Sequence, residues 1–213
     1  MNQKKYAIFL LLVSTLVAVF SGCFGTSPTS RFYTLTPVET RKPSVNSGLD
    51  VAVMVGPVTI PDYLDRRQIM TRSGRNELIL AEYDRLGGSL DGEITRVLIA
   101  GLGERLTPAR IAVLSWRSSA LTDARRIYRV PIAVTRFDGT PGETVVLTAA
   151  WGVAVKQAKQ EETLLATEST ITEEVGGKDY GALVAAMGRA VDRLGKEIAD
   201  SISLLNDQRK NQG

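Results

Sequence analysis

The chain of 213 residues holds a single cysteine, Cys23, and no histidine. A thiol can act as a nucleophile, a metal ligand, half of a disulfide or an acyl acceptor, and most of these roles need companions that this chain lacks. One cysteine makes no intrachain disulfide, and without histidine the usual zinc and iron ligand sets are missing. No metal or cofactor is therefore expected. The other places where chemistry could sit are equally incomplete. "GGSLDG" (87–92) approaches a nucleophile elbow at Ser89, but the following glycine comes one position late and no histidine can serve as base. "GLGERL" (101–106) lacks the third glycine of a dinucleotide fingerprint and lies inside a helical pattern, and no Walker A sequence occurs. Glu161-Glu162 and Glu173-Glu174 are adjacent carboxylates, yet neighbours along a strand point to opposite faces. They read as solvated strand ends, and an enzyme is not the expectation.

The densest unusual stretch is "GPVTIPDYLDRRQIMTR" (56–72), with two prolines, one tyrosine, two aspartates and three arginines set between apolar runs. It has two readings. In one, a proline-shaped turn is laced with ion pairs from Asp62 or Asp65 to Arg66 or Arg67, each contributing less than about 1 kcal/mol if exposed. In the other, Tyr63, Asp65, Arg66 and Arg67 form a docking loop, because tyrosine, arginine and fixed proline geometry are the materials of interface hot spots.

The elements that must hold this stretch follow from periodicity. "RFYTLTP" (31–37) alternates, and "LDVAVMVGPVTI" (49–60) is a valine-rich run suited to a strand buried on both faces. "RQIMTRSG" and "NELILAEY" form a hairpin about Ser73-Gly74-Arg75. Ile94, Val97, Leu98, Gly101 and Leu102 fall at helical spacing between Ser89 as N-cap and Pro108 as stop. "RIAVLSW" (110–116) reads as another buried strand, and strand, helix, strand suggests a parallel crossover in a mixed sheet. "RIYRVPIAVTRFDG", "ETVVLTAAWGVAVKQ" and "ETLLATESTITEE" form an antiparallel meander. A last helix, from about Asp179 to Leu205, carries one stripe through Tyr180, Val184, Met187, Val191, Leu194, Ile198, Ile202 and Leu205, about 40 Å long. That stripe packs on the sheet or, in part, on a second subunit. The fold class is α+β: a mixed sheet packed by two main helices, with the meander and the long helix at the C-terminal end. Residues 206–213 form a loose polar tail.

The first 22 residues run from Lys4 and Lys5 through an apolar segment to Phe20 and meet no acidic residue, the layout of a secretory signal. A membrane-spanning helix needs about 20 apolar residues, and this run is shorter. The pair Ser21-Gly22 before Cys23 resembles the lipobox of bacterial lipoproteins, in which cleavage makes the cysteine residue one and acyl chains are added to it. The resemblance makes Cys23 a lipid attachment site. The plainer alternative is a buried cysteine at the end of a cleaved signal. Two or more chains anchor stably where one binds only marginally. Cleavage leaves 191 residues and, with Lys4 and Lys5 gone, lowers the side-chain charge from +3 to +1, which gives no support to nucleic-acid binding. Residues 23–31 form a tether, and the seven from Phe24 to Ser30 span at most roughly 25 Å.

"VGPVTIPDYLDRRQIMTRSGRNEL", "LDGEITRVLIAGLGERL", "VTRFDG", "VVLTAAWGV" and "KDYGALVAAM", in that order, closely resemble the PqiC-like family of ABC-type transport auxiliary lipoproteins, over about Arg31 to Leu205. The resemblance implies one domain at 32–205 and a non-enzymatic subunit associated with an MCE-type lipid transport system. Its implied partners are an MCE-domain protein and the outer membrane through the lipid anchor, with further copies in a homo-oligomer as a third candidate. Phe24 stands where an aspartate would favour inner-membrane retention, so outer-membrane sorting with the domain facing the periplasm is expected. A lipid-binding carrier is the alternative function.

Overall fold

The structure is a computed structural model that describes residues 6, 28–37, 51–118, 124, 126–157 and 160–210. Residues 31–213 form one compact unit, separate from residues 1–30. Cys23 and most of the expected signal and tether lie outside the described residues.

The described residues of the larger unit form eight strands and two long helices. The strands are β1 (Arg31–Tyr33), β2 (Val51–Thr59), β3 (Gln68–Ser73), β4 (Glu77–Leu86), β5 (Ile111–Ser115), β6 (Arg126–Gly139), β7 (Thr144–Gln157) and β8 (Gln160–Glu174). The helices are α1 (Leu90–Leu106) and α2 (Tyr180–Lys210). All eight strands belong to one mixed sheet, so the α+β expectation holds. The sheet forks at β6. One edge of that strand pairs along its length with β7, which in turn pairs with β8, and this is the expected antiparallel meander. The other edge is shared: Arg126 to Ala133 run parallel to β2, whereas Gly139 meets Thr71 of β3. One branch is therefore β2–β5 and the other β3–β4–β1.

Two-residue alternation decides which face is covered. Along β6, Tyr128, Val130, Ile132 and Val134 are buried while Arg129, Pro131, Ala133 and Thr135 are exposed. The helices pack on the buried side, where Ile94, Val97, Leu98, Leu102 and Leu106 of α1 join one core cluster with Val184, Val191, Leu194, Ile198 and Ile202 of α2. Arg105 of α1 ties the helices together with a two-pronged contact to Asp192, at 3.0 and 2.7 Å. The α2 stripe thus finds its partners within one chain, and Leu194 is wholly buried without a second copy.

Several expectations change in detail. The helix between β4 and β5 does not make a parallel crossover of those two strands. β4 is antiparallel to β3, whereas β5 runs parallel to β2, so the crossover joins β2 to β5 and carries the β3–β4 hairpin within it. β5 is an outer strand, and beyond Ile111 its residues are half-buried because only one neighbouring strand covers them. Ser89 does precede α1, but its hydroxyl makes no capping bond. Asp179 caps α2 instead, its carboxylate accepting the Ala182 N–H at 2.8 Å. The helix also continues past Leu205 to Lys210, where a polar tail was expected. Asn206 is buried there and Arg209 reaches Glu162 at 2.9 Å. Glu173 is no solvated strand end: it receives Arg189 at 3.3 Å and Arg193 at 2.9 Å from α2.

The chain along β1 and just beyond it is clasped into the core. The Glu93 carboxylate accepts the Leu35 N–H at 2.9 Å and is paired with Arg96, whose guanidinium also donates to the Leu35 carbonyl. Leu35 itself is wholly buried. Asp84 accepts the Tyr33 hydroxyl at 2.8 Å and Arg31 at 2.9 Å. Parallel pairing of Arg31 with Asp84 and Tyr33 with Leu86 completes the attachment.

Candidate docking surface

The 56–72 stretch crosses the fork of the sheet, and the fork explains its composition. β2 must leave β6 so that β3 can replace it. The ladder first slips at Gly56, whose φ of +106° is a conformation that side-chain-bearing residues avoid, then resumes at Val58 and ends with Thr59 opposite Ala133. The Trp116 ring lies against this turn so closely that a Cβ on Gly56 would sit 2.2 Å from its Cδ1. Pro61 then opens a short 3-10 turn, Asp62–Leu64, closed by the Leu64 N–H to the Pro61 carbonyl at 2.9 Å.

Leu64 is the plug of the stretch, buried beside Leu86, Leu90, Phe137 and Met187. Tyr63 is half-buried, with its hydroxyl donating to the Thr135 carbonyl at 3.5 Å. Burial pushes its phenol up from the ordinary value, and the nearby Asp138 carboxylate adds to the shift. Asp65, Arg66 and Arg67 are exposed, while the Arg67 carbonyl is held by the Leu86 N–H at 2.7 Å. The backbone is thus fixed and the charged side chains are presented.

The ion pairs of the plainer reading do not form: among the described residues Asp62, Asp65, Arg66 and Arg67 make no salt bridge with one another. The charge that holds the region together comes from Arg72 and lies deeper. Its guanidinium forks onto Asp138 at 2.7 and 2.8 Å and also donates to the Arg75 carbonyl at 2.9 Å, while Arg136 reaches the same carboxylate at 3.0 Å. Asp138 is almost fully buried. Burial alone would raise its pKa, but hydrogen bonds from Arg72 and then Arg136 outweigh it and hold the carboxyl below its ordinary value. Arg136 and Asp138 belong to "VTRFDG", yet 66 residues separate Arg72 from Asp138, and no spacing rule connects them.

Arg72→Ala should therefore cost about 1.5–3 kcal/mol at neutral pH, the range for a hydrogen bond to a charged group. A group whose folded pKa is depressed stabilises above its unfolded pKa, and that contribution disappears as pH falls through the folded value. Urea unfolding of both proteins at pH 7 and in acid is the check: the gap between the wild type and the variant should narrow as Asp138 protonates in both.

Trp116 and Arg117 are a further feature that spacing did not single out. The ring is partly exposed at the mouth of a cleft lined by Asp91, Thr95 and Arg96, and the Arg117 guanidinium lies 5.2 Å from the ring centroid. A tryptophan at the end of an apolar strand carried no signal beyond its burial preference. No group of three or more potential metal ligands occurs among the described residues, and no described helix is long and apolar enough to cross a membrane.

Two kinds of comparison bear on this architecture. The model of the ABC-type transport auxiliary lipoprotein component family matches residues 33–199, from β1 through most of α2. The chain belongs to that family. It is by that assignment a lipoprotein and an auxiliary component of transport. Among solved structures, it is similar to a crystal structure of an uncharacterized protein at 18% identity, with a TM-score of 0.64, over 82% of this chain and 99% of the other. It is also similar to a Xanthomonas campestris protein of family DUF330, at 17% identity and a TM-score of 0.60, over 86% of this chain and all of that one. These likenesses establish the fold. No curated protein matches the sequence.

Proposed function

We propose that the protein is a non-enzymatic lipoprotein of the outer membrane, anchored through acylated Cys23, whose periplasmic domain docks the periplasm-spanning MCE-domain protein of a lipid transport system. The observation that carries this reading is the surface at the fork. Tyr63, Asp65, Arg66 and Arg67 stand on a backbone pinned by Leu64 and by the Arg67 to Leu86 hydrogen bond, and their charges are not spent on one another. A rigid, unneutralised loop loses little conformational entropy when a partner arrives. A homo-oligomer of anchored domains would offer several copies of this surface to one partner.

The double variant Asp65→Ala with Arg66→Ala separates docking from structure. Both residues are exposed and unpaired among the described residues, so melting should shift little. Crosslinked capture of the MCE-domain protein from the outer membrane should fall. Unchanged capture together with a large drop in melting temperature would overturn the docking role.

A second reading, the lipid carrier, is favoured by one feature. The helix-free face of the sheet holds an open groove of about 370 Å³ lined by Pro57, Pro131, Ala133, Ala150, Gly152 and Leu165. Native mass spectrometry would favour the carrier if it found one phospholipid per chain beyond the covalent anchor.

A further inference from the structure

We propose that the cleft between the first turns of α1 and the carboxyl ends of β2 and β5 is a peptide-binding site, in which Trp116 and Arg117 receive a large apolar side chain and an adjacent carboxylate from a partner protein. The inference goes beyond the docking role of Tyr63, Asp65, Arg66 and Arg67 and does not need it.

Topology sets the place. β2 and β5 run parallel and in register from Val51 beside Ile111 to Val55 beside Ser115, so their carboxyl ends lie together. Open α/β sheets bind ligands in crevices outside the carboxyl ends of parallel strands. Here the crevice has a volume of about 290 Å³, with Val58 and Ile99 in its apolar wall and Asp91, Thr95 and Arg96 along α1. Sites that enclose a whole small molecule run from about 300 to 1,000 Å³, so this one suits one or two side chains of something larger. Trp116 closes one side and is held there. Its backbone N–H donates to the Val55 carbonyl at 3.0 Å, and its ring lies against Gly56, where a Cβ would come within 2.2 Å of Cδ1. Yet the residue is 43% exposed, whereas the chain's other tryptophan, Trp151, is buried and donates its indole N–H to Ser169 at 2.9 Å. A tryptophan fixed in place and left in water has already lost the conformational freedom that an anchor gives up on binding.

The polar groups of the cleft say what lies beside that anchor. Among the described residues, neither the Trp116 indole N–H nor the Arg117 guanidinium has a hydrogen-bond acceptor, and Arg117 makes no ion pair. The guanidinium lies 5.2 Å from the Trp116 ring centroid instead. Arg96 is partly spent, since it bonds Glu93 at 2.6 Å and the Leu35 carbonyl while half of its side chain stays exposed. The one carboxylate among the lining residues is Asp91, in the first turn of α1, where the helix dipole favours its charge. Donors are therefore in surplus, and the group that completes them is a carboxylate set next to a side chain that covers the indole. A lipid headgroup would supply an acceptor, but its phosphate is flanked by polar groups, which leaves the wall of Val58, Ile99 and Trp116 unmatched.

The test uses the full-length protein in phosphatidylcholine nanodiscs as bait for a displayed library of linear peptides, with empty nanodiscs as counter-selection. Selected peptides are expected to pair Asp or Glu with a large apolar residue. Unlabelled, they should shield Trp116 from acrylamide, a signal to which buried Trp151 contributes little. Labelled with fluorescein and followed by anisotropy, they should bind the Arg117→Glu chain about 30-fold more weakly, the loss of a hot-spot contact. A peptide with Lys in place of its acid should regain affinity for that variant. Arg117 is exposed, so the variant should melt as the wild type does. The site is overturned if no peptide is enriched above empty nanodiscs, if the enriched peptides lack an acidic residue, or if they bind the Arg117→Glu chain equally well. Equal shielding of Trp116 by inorganic phosphate, or by nanodiscs made with phosphatidylglycerol, would also overturn it, since an anion alone would then suffice. None of these outcomes touches the docking role of Asp65 and Arg66, which the crosslinking of their double variant tests separately.

Discussion

A Cys23→Ser chain should fold normally and leave the membrane. The whole population is expected to move from the detergent-requiring fraction to the soluble periplasm, which makes this the largest effect of any single substitution considered. The compact unit begins at Arg31, and its core cluster, from Leu35 to Ile202, contains no cysteine. Nothing in that core depends on the thiol, whereas membrane attachment depends on it entirely if acyl chains are its only link to the bilayer. Each buried methylene contributes about 0.8 kcal/mol, so losing several chains removes the attraction that holds the chain to the bilayer. Fractionation of the two chains is the measurement. A serine variant that still needs detergent would place the anchor elsewhere in the sequence.

The second large effect is in the core. Leu194→Ala should destabilise the domain by about 2 to 5 kcal/mol, the range for truncating a fully buried leucine. Leu194 is wholly buried at the middle of the α2 stripe, with Val191 and Ile198 beside it on the same face, and α1 packs alongside α2. The space left cannot refill easily, because the interior is close-packed and the helices are tied by Arg105 and Asp192. Chemical unfolding should show the loss as a lower midpoint with the slope unchanged. If copies of the chain do assemble, the contact lies elsewhere. For position 194 the loss should not depend on protein concentration, whereas an intersubunit contact would make the apparent melting temperature rise with concentration. Sedimentation of wild type and variant at two concentrations distinguishes the cases, and dissociation preceding unfolding in the variant would overturn the single-chain assignment.

By itself the sequence determined the parts whose signal is local. Period-two alternation located β6, β7 and β8 almost to the residue, since each strand carries its own record of which side faces the core. The helical stripe located α2 for the same reason, and the missing histidine removed whole classes of chemistry without reference to shape. Cys23 after Ser21-Gly22 was legible only as a resemblance to a lipobox, and it lies outside the described residues. Only the tertiary structure decided what depends on elements far apart in the chain. The fork at β6 arises because β2 and β3 share one edge of a long strand, and neither "VGPVTI" nor "RQIMTR" records that the other competes for it. The same distance effect hid the Arg72 to Asp138 pair and led neighbouring Asp65 and Arg66 to be weighed as partners, when their side chains are exposed without a bridge between them. It also hid the direction in which β1 enters the sheet, because parallel pairing with β4 is a property of two segments some fifty residues apart. Periodicity reports how one segment meets an average interior; pairing, charge matching and orientation are relations between segments, and they exist only once the chain has closed on itself.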